Sequence, residues 1–252
     1  MPDPRPSRAS RARRALASSA LWPASVWLLA SACGPGAATP MPEPPAFDLS
    51  GLNTGIVSAK IPTDSRVLVI ESASGNVPSG AAVRVTNLDG LSPVVAGSEN
   101  GQGGFEVDLI ATDGQELRFE WVNGDQRSAP ADAIVSRPDA MGAAFTVAAS
   151  QRFDCLKLEP GYVLDFGAAA QATFRLENGC SGALTLENPR TRLALTDFAV
   201  SGQLPPRVAA GKSASISVDF TRAAAGLRED VLFVDVTLDT TTLRYPITLR
   251  AE

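Results

Sequence analysis

The 252-residue chain contains no histidine. That absence removes the Ser-His-Asp and Cys-His forms of nucleophilic catalysis, histidine-based zinc sites, and the side chain best matched to proton transfer near neutral pH. No G-x-S-x-G elbow or S-x-x-K motif places any serine as a nucleophile. Cysteine is scarce, with three residues, Cys33, Cys155 and Cys180. Long helical periodicity is missing beyond the first thirty residues, which points to an all-β protein.

Charge is unevenly spread. The formal net charge is -5, but Arg5, Arg8, Arg11, Arg13 and Arg14 face only Asp3 within the first 32 residues. The remainder holds 17 basic and 26 acidic residues, a net charge of -9. So acidic a surface repels the phosphate backbone, and no basic cluster appears later, so nucleic acid is excluded as a partner. Apolar residues make up 44% and charged residues 19%, a globular composition, and the length suits two small domains.

The leader MPDPRPSRASRARR precedes an apolar stretch, ALASSALWPASVWLLASA, that ends at Cys33. A basic region, an apolar region and terminal small residues form the three-part pattern of an export signal over residues 1–32. The apolar stretch is short of the roughly 20 residues that span a bilayer, and Pro23 and its serines weaken it further. An uncleaved anchor with an unmodified cysteine is the competing reading. Leu29, Ala30, Ser31, Ala32 and Cys33 resemble the lipobox of bacterial lipoproteins, with leucine one place early. The resemblance implies cleavage before Cys33 and acylation of its thiol, hence anchoring in a membrane. Gly34 in place of aspartate implies outer-membrane sorting. Residues 33–46 include GPGAATPMPEPP, a proline-rich composition suited to an extended tether.

Residues 47–150 read as a first β-sandwich. Strand signals RVLVIES, AAVRVTN, PVVAG, FEVDLI, ELRFEWV and AAFTVAA alternate with the turns NLDG, ENGQGG and TDGQ. FEVDLI sends Phe105, Val107 and Leu109 to one face and Glu106 and Asp108 to the other. ELRFEWV sends Leu117, Phe119 and Trp121 inward and Arg118 and Glu120 outward. A short connection between these two strands predicts an antiparallel hairpin. The frame GNVPSGAAVRVTN, GGFEVDL and GQELRFEW is similar to bacterial immunoglobulin-like and carboxypeptidase-regulatory-like modules.

Residues 151–252 read as a second sandwich. The segments LDFG, ATFRLENGCSGALTLEN, FAVSG, VAAGKSASISVDFTRAAAG, VLFVDV and YPITLRAE resemble, in order, the ASH/Hydin group of immunoglobulin-fold domains, relatives of the major sperm protein fold. Arg222 departs from the family pattern, which often has proline there. The whole reads as two tandem immunoglobulin-like antiparallel β-sandwiches after a cleaved signal and a flexible linker.

With Cys33 assigned to lipid, Cys155 and Cys180 form an even pair in an oxidising compartment. Cys155 starts one strand and Cys180 follows the end of another, so antiparallel neighbours would bring them into bridging range. Closing that loop stabilises by roughly 3 kcal/mol in the chain-entropy model. A redox-active pair is disfavoured, because the cysteines are far apart in sequence and not at a helix amino terminus.

Catalysis by carboxylates would fall to Glu106 and Asp108, about 6.7 Å apart along one strand. Alternating acids are also the ordinary look of a solvated sheet face, with Arg118 as a neighbour to pair with. The turns at 87–90, 99–104 and 111–114 could lend oxygens to calcium, but lack the density of a dedicated loop and need Asx and Gly for backbone reasons. No catalytic residue, metal site or cofactor is therefore expected. The expected function is a lipid-anchored, non-catalytic envelope protein that binds a protein or glycan or shapes the envelope. Its rivals are a carboxylate-dependent hydrolase and a passive spacer.

Overall fold

In β5 (Phe105–Ala111) every second side chain is buried and its neighbours are exposed. The same alternation shapes β12 (Gln171–Asn178) and β16 (Ser213–Phe220), whose Phe174, Leu176, Ile216, Val218 and Phe220 enter one core. Period-2 patterns of this kind hold a strand in register, because a one-residue slip would expose the whole apolar set. The computed structural model describes residues 45–49, 52–56, 66–72, 77–91, 94–136, 146–194, 197–222 and 225–251. Cys33, the expected signal segment and the tether before Pro45 lie outside the described residues.

Among the described residues there is no helix. The first sandwich faces two sheets together. One is β1 (Leu52–Ile56), β2 (Arg66–Ser72) and β5, in the order β1-β2-β5. The other contains β3 (Ala82–Asn87), β4 (Val95–Ser98), β6 (Glu116–Asn123), β8 (Ala131–Ser136) and β9 (Thr146–Ala149), in the order β4-β3-β6-β8-β9, with β7 (Gln126–Arg127) beside β6. All these pairings are antiparallel. Phe47 closes the core, its ring 5.9 Å from Phe105 on one sheet and 5.6 Å from Phe119 on the other.

The second sandwich repeats the plan. One sheet runs β10 (Leu156–Glu159), β12, β16 and β14 (Phe198–Ser201). The other is built from β11 (Val163–Asp165), β13 (Leu184–Thr191), β15 (Arg207–Val208), β17 (Arg228–Leu238) and β18 (Thr241–Ala251), in the order β11-β18-β17-β13-β15. Its one parallel pair is β11 with β18. Phe166, Phe198 and Phe220 cluster in the core at 5.1 to 5.8 Å between ring centres. Two facing sheets, with connections that cross between them, make each half an immunoglobulin-like β-sandwich and the protein all-β.

The hairpin expected between β5 and β6 does not form. β5 pairs with β2, whereas β6 pairs with β3 and β8, so residues 112–115 carry the chain from one sheet to the other. Asn87 and Gln115 pin this crossing. The Asn87 amide donates to Ile110 O and Gln115 Oε1, and Gln115 Oε1 also accepts from Thr112 N. An antiparallel hairpin and an inter-sheet crossing both satisfy alternation, and burial of Phe105 and Phe119 on either side of Phe47 favours the crossing.

Candidate functional site

The face of β6 opposite the core was expected to meet water. Instead Arg118 and Glu120 are buried, 2% and 6% exposed, because β17 and β18 of the second sandwich lie over them. The two sandwiches pack as one compact unit. Among the described residues their contact combines ion pairs, arginine hydrogen bonds to neutral groups and a small apolar cluster of Leu88, Val231 and Phe233.

Arg118 sits at the centre of this seam. Its Nε and Nη2 hold Asp132 at 2.7 and 2.9 Å, while Nη1 and Nη2 cross to Thr248 Oγ1 at 2.8 Å and Pro246 O at 2.7 Å. Burial works against both charges. Asp132 is nevertheless held below the usual carboxylate range, chiefly by Arg118, and Arg118 is raised by Asp132, Glu120 and Glu116. Arg152, in the segment joining the sandwiches, bonds Glu116 at 2.6 Å and Asp132 at 2.9 Å. The neighbouring Phe153 N donates to Tyr245 Oη at 2.6 Å, and burial pushes the Tyr245 phenol up to about 12.

Two further nodes fasten the seam. Arg244 on β18 spans Glu116 and Asp89, bonding Glu116 Oε2 through Nη2 at 2.6 Å. Glu229 on β17 takes Arg84 and Arg127 from the first sandwich and Arg250 from the second. Burial would raise Glu229, but these arginines, Arg84 foremost, hold it down at about 2. Two buried carboxylate oxygens, Glu120 Oε1 and Asp230 Oδ2, have no hydrogen-bond partner among the described residues, and burial raises the Asp230 pKa.

At the β8–β9 end a cleft of about 400 Å³ is lined by Ile134 and Ala148 of the first sandwich and by Thr242 and Leu243 of the second. Glu116, Arg152 and Arg244 line it as well. Such a volume at a domain interface falls within the ordinary range of ligand pockets.

The residues singled out from sequence do not converge. Glu106 and Asp108 are exposed on β5, on the sheet that does not contain β6, so Arg118 is not their partner. Cys155 and Cys180 form a disulfide with Cα atoms 4.9 Å apart. Antiparallel pairing of β10 with β12 sets Leu156 opposite Asn178, which places the cysteines at adjoining strand ends. Asn178, missed from sequence, braces that corner. Its side chain donates to Gly182 O and Val208 O and accepts from Cys180 N, all at 2.9 Å.

Among the described residues no group of three or more acidic or cysteine side chains is placed to hold a metal ion. In the turn at 87–90, Asp89 binds Arg244 and Glu116 N. At 99–104 the Glu99 and Asn100 side chains cap the backbone amides of Gly80, Gln102, Gly103 and Gly104. Asp89 thus serves the seam, and Glu99 and Asn100 serve the backbone of their own turn and of Gly80 beside it.

The signal for the seam was present in composition. Of the 22 basic residues only Lys60, Lys157 and Lys212 are lysine. Arginine is the cation suited to buried, forked pairing with carboxylates. Glu116, Arg118 and Glu120 at alternating positions of one strand carry that pairing here.

No known family model matches the sequence, and no curated protein matches it. Among solved structures, the VesB protease of Vibrio cholerae aligns at 15% identity with a TM-score of 0.36, over 70% of this chain and 63% of that one. This chain therefore spans less than two thirds of that protease. A Porphyromonas gingivalis W83 protein of unknown function aligns at 13% identity and a TM-score of 0.32, covering 80% of this chain and 99% of that one. The FN1–FN3 domains of chicken CNTN1 align at 11% identity and a TM-score of 0.19, over 83% and 67%. Likeness at this level carries no argument about what this chain does.

Proposed function

We propose that the chain is an exported, lipid-anchored and non-catalytic protein of a bacterial envelope, outer membrane rather than inner, whose two sandwiches act together as a binding module. The observation that carries this reading is the stretch LASAC ending at Cys33, preceded by a basic and apolar leader and followed by a proline-rich tether. The Cys155–Cys180 disulfide supports an oxidising compartment. The ionic seam supports a rigid unit over a flexible pair of beads, since the segment joining the sandwiches is itself bonded through Arg152 and Phe153. The reading also draws on the sequence resemblance of residues 151–252 to ASH/Hydin domains and of residues 47–150 to bacterial immunoglobulin-like modules. Recognition on such scaffolds falls to loops and clefts at the edges of rigid sheets.

Metabolic labelling with a fatty acid tests the anchor. Wild type takes up label and Cys33→Ala does not; label persisting in the variant overturns the assignment.

A further inference from the structure

The turn ENGQGG at 99–104 holds one of three Asn-Gly pairs in the chain, the others being Asn123-Gly124 and Asn178-Gly179. In such a pair the glycine amide nitrogen can attack the asparagine side-chain carbonyl, because no Cβ on the second residue hinders its approach. Attack joins the glycine N to the asparagine Cγ and expels Nδ2 as ammonia. A base for the amide proton eases this step, and so do donors for the charge that gathers on Oδ1.

The fold supplies both at Asn100. Gln102 N and Gly104 N donate to Asn100 Oδ1 at 3.0 and 3.1 Å. They converge on the oxygen where negative charge develops, and such bonds strengthen as the acceptor becomes charged. The Glu99 carboxylate accepts from Gly103 N and Gly80 N. Those amides hold its pKa below the usual carboxylate range, and the amides of Gly101 and Gln102 add to the effect more weakly. Glu99 is therefore ionised at neutral pH, with the Gly101 N–H among the groups that bond to it. The frame is tied down, since Asn100 N donates to Gly104 O at 2.9 Å, Val77 N donates to Gly103 O at 3.1 Å, and Glu99 pairs with Phe105. Asn100, Gly101 and Gln102 are exposed, so water reaches the site.

The other two pairs lack this arrangement. Asn178 is buried, with both ends of its amide bonded, and Gly179 N is occupied by Cys155 O at 2.8 Å. Asn123 has one long bond, from Nδ2 to Ser79 O at 3.3 Å. Among the described residues no donor meets its Oδ1 and no carboxylate is bonded to Gly124 N.

We infer that Asn100-Gly101 is a self-modifying site, at which Glu99 takes the Gly101 amide proton, Gly101 N closes on Asn100 Cγ, and the amides of Gln102 and Gly104 hold the oxyanion. The proton passes to Nδ2, which leaves as ammonia as its bond to Cγ breaks. Water then opens the succinimide ring at either carbonyl, giving aspartate or isoaspartate at position 100 with no change of oxidation state. The turn gains a negative charge beside Glu99.

The test incubates the full chain in detergent micelles at neutral pH in oxygen-18 water and maps its peptides by mass spectrometry. Heavy oxygen should enter at position 100 ahead of 123 and 178, with aspartate and isoaspartate both formed. Glu99→Gln keeps an oxygen acceptor for the turn but is a poor base. It should slow entry at 100 by about tenfold and leave 123 unchanged. In urea, where the turn is lost, the lead of position 100 over 123 should vanish; that comparison needs no variant. Entry at 123 as fast as at 100 in the folded protein overturns the inference, as does an undiminished rate in Glu99→Gln or a lead that persists in urea.

Discussion

The guanidinium of Arg118, on β6 of the first sandwich, donates to the carbonyl of Pro246, on β18 of the second, at 2.7 Å. A side chain on the polar face of one sheet is thereby an interior residue of the whole molecule. Each sandwich has its own apolar core, whereas the layer between them is rich in charge beside one small apolar cluster.

Truncating that residue should be costly. Arg118→Ala leaves Asp132 buried with only Arg152 beside it and orphans Thr248 Oγ1 and Pro246 O. Loss of about 3–5 kcal/mol is expected in urea unfolding. The double variant Arg118→Met with Asp132→Leu removes both charges at similar volume and should recover most of the loss. A double variant no better than Arg118→Ala would show that the pair contributes more than compensation of its own burial.

Acid should weaken the seam through Glu229. Its pKa in the folded protein, about 2, lies below its ordinary value of 4.5, so the folded state binds its proton less readily than the unfolded chain. The resulting stability is fully present above pH 4.5 and is lost as the pH falls toward about 2. Asp89 and Asp132 are also lowered and act in the same direction. Urea midpoints measured across this range should fall steeply in wild type, and less steeply in Glu229→Gln. Identical slopes would remove Glu229 from the account.

The disulfide closes a separation of 25 residues. Replacing both cysteines with serine should destabilise by roughly 3 kcal/mol, read from the unfolding midpoint. Thiol labelling of the unfolded, unreduced protein should leave Cys155 and Cys180 unmodified; modification of either would contradict the bridge.

Gly97 on β4 lies against the backbone of β5. A Cβ there would come within 2.5 Å of both Glu106 O and Val107 Cγ1. Gly97→Ala should therefore cost about 1–3 kcal/mol by forcing the two strands apart. Gly80→Ala makes a useful contrast, since a Cβ there meets nothing within 4 Å and only the positive φ of 79° opposes it. If Gly97→Ala proves the milder of the two, close packing of β4 on β5 is not what requires glycine.

Much of this architecture was legible in the chain because its causes are local. Alternation in RVLVIES, FEVDLI and SASISVDF sets strand positions, and the observed strands Arg66–Ser72, Phe105–Ala111 and Ser213–Phe220 follow those runs closely. Alternation also implies two-faced sheets, and hence the β-sandwich class. Pairing of Cys155 with Cys180 follows from two strands close in sequence. The short strands Leu52–Ile56 and Ala131–Ser136 escaped notice, because GLNTGI and ADAIVS carry a weak or broken alternation.

Only the tertiary structure decided which sheet each strand joins and what covers its polar face. Period 2 separates apolar from polar sides, but the polar side reads the same whether it meets water or an opposing array of charge. The partners of Arg118 make the reason plain, since Asp132 lies 14 residues away and Thr248 lies 130 away. A charge becomes interior when the second sheet docks over it, and that depends on residues no local pattern can connect.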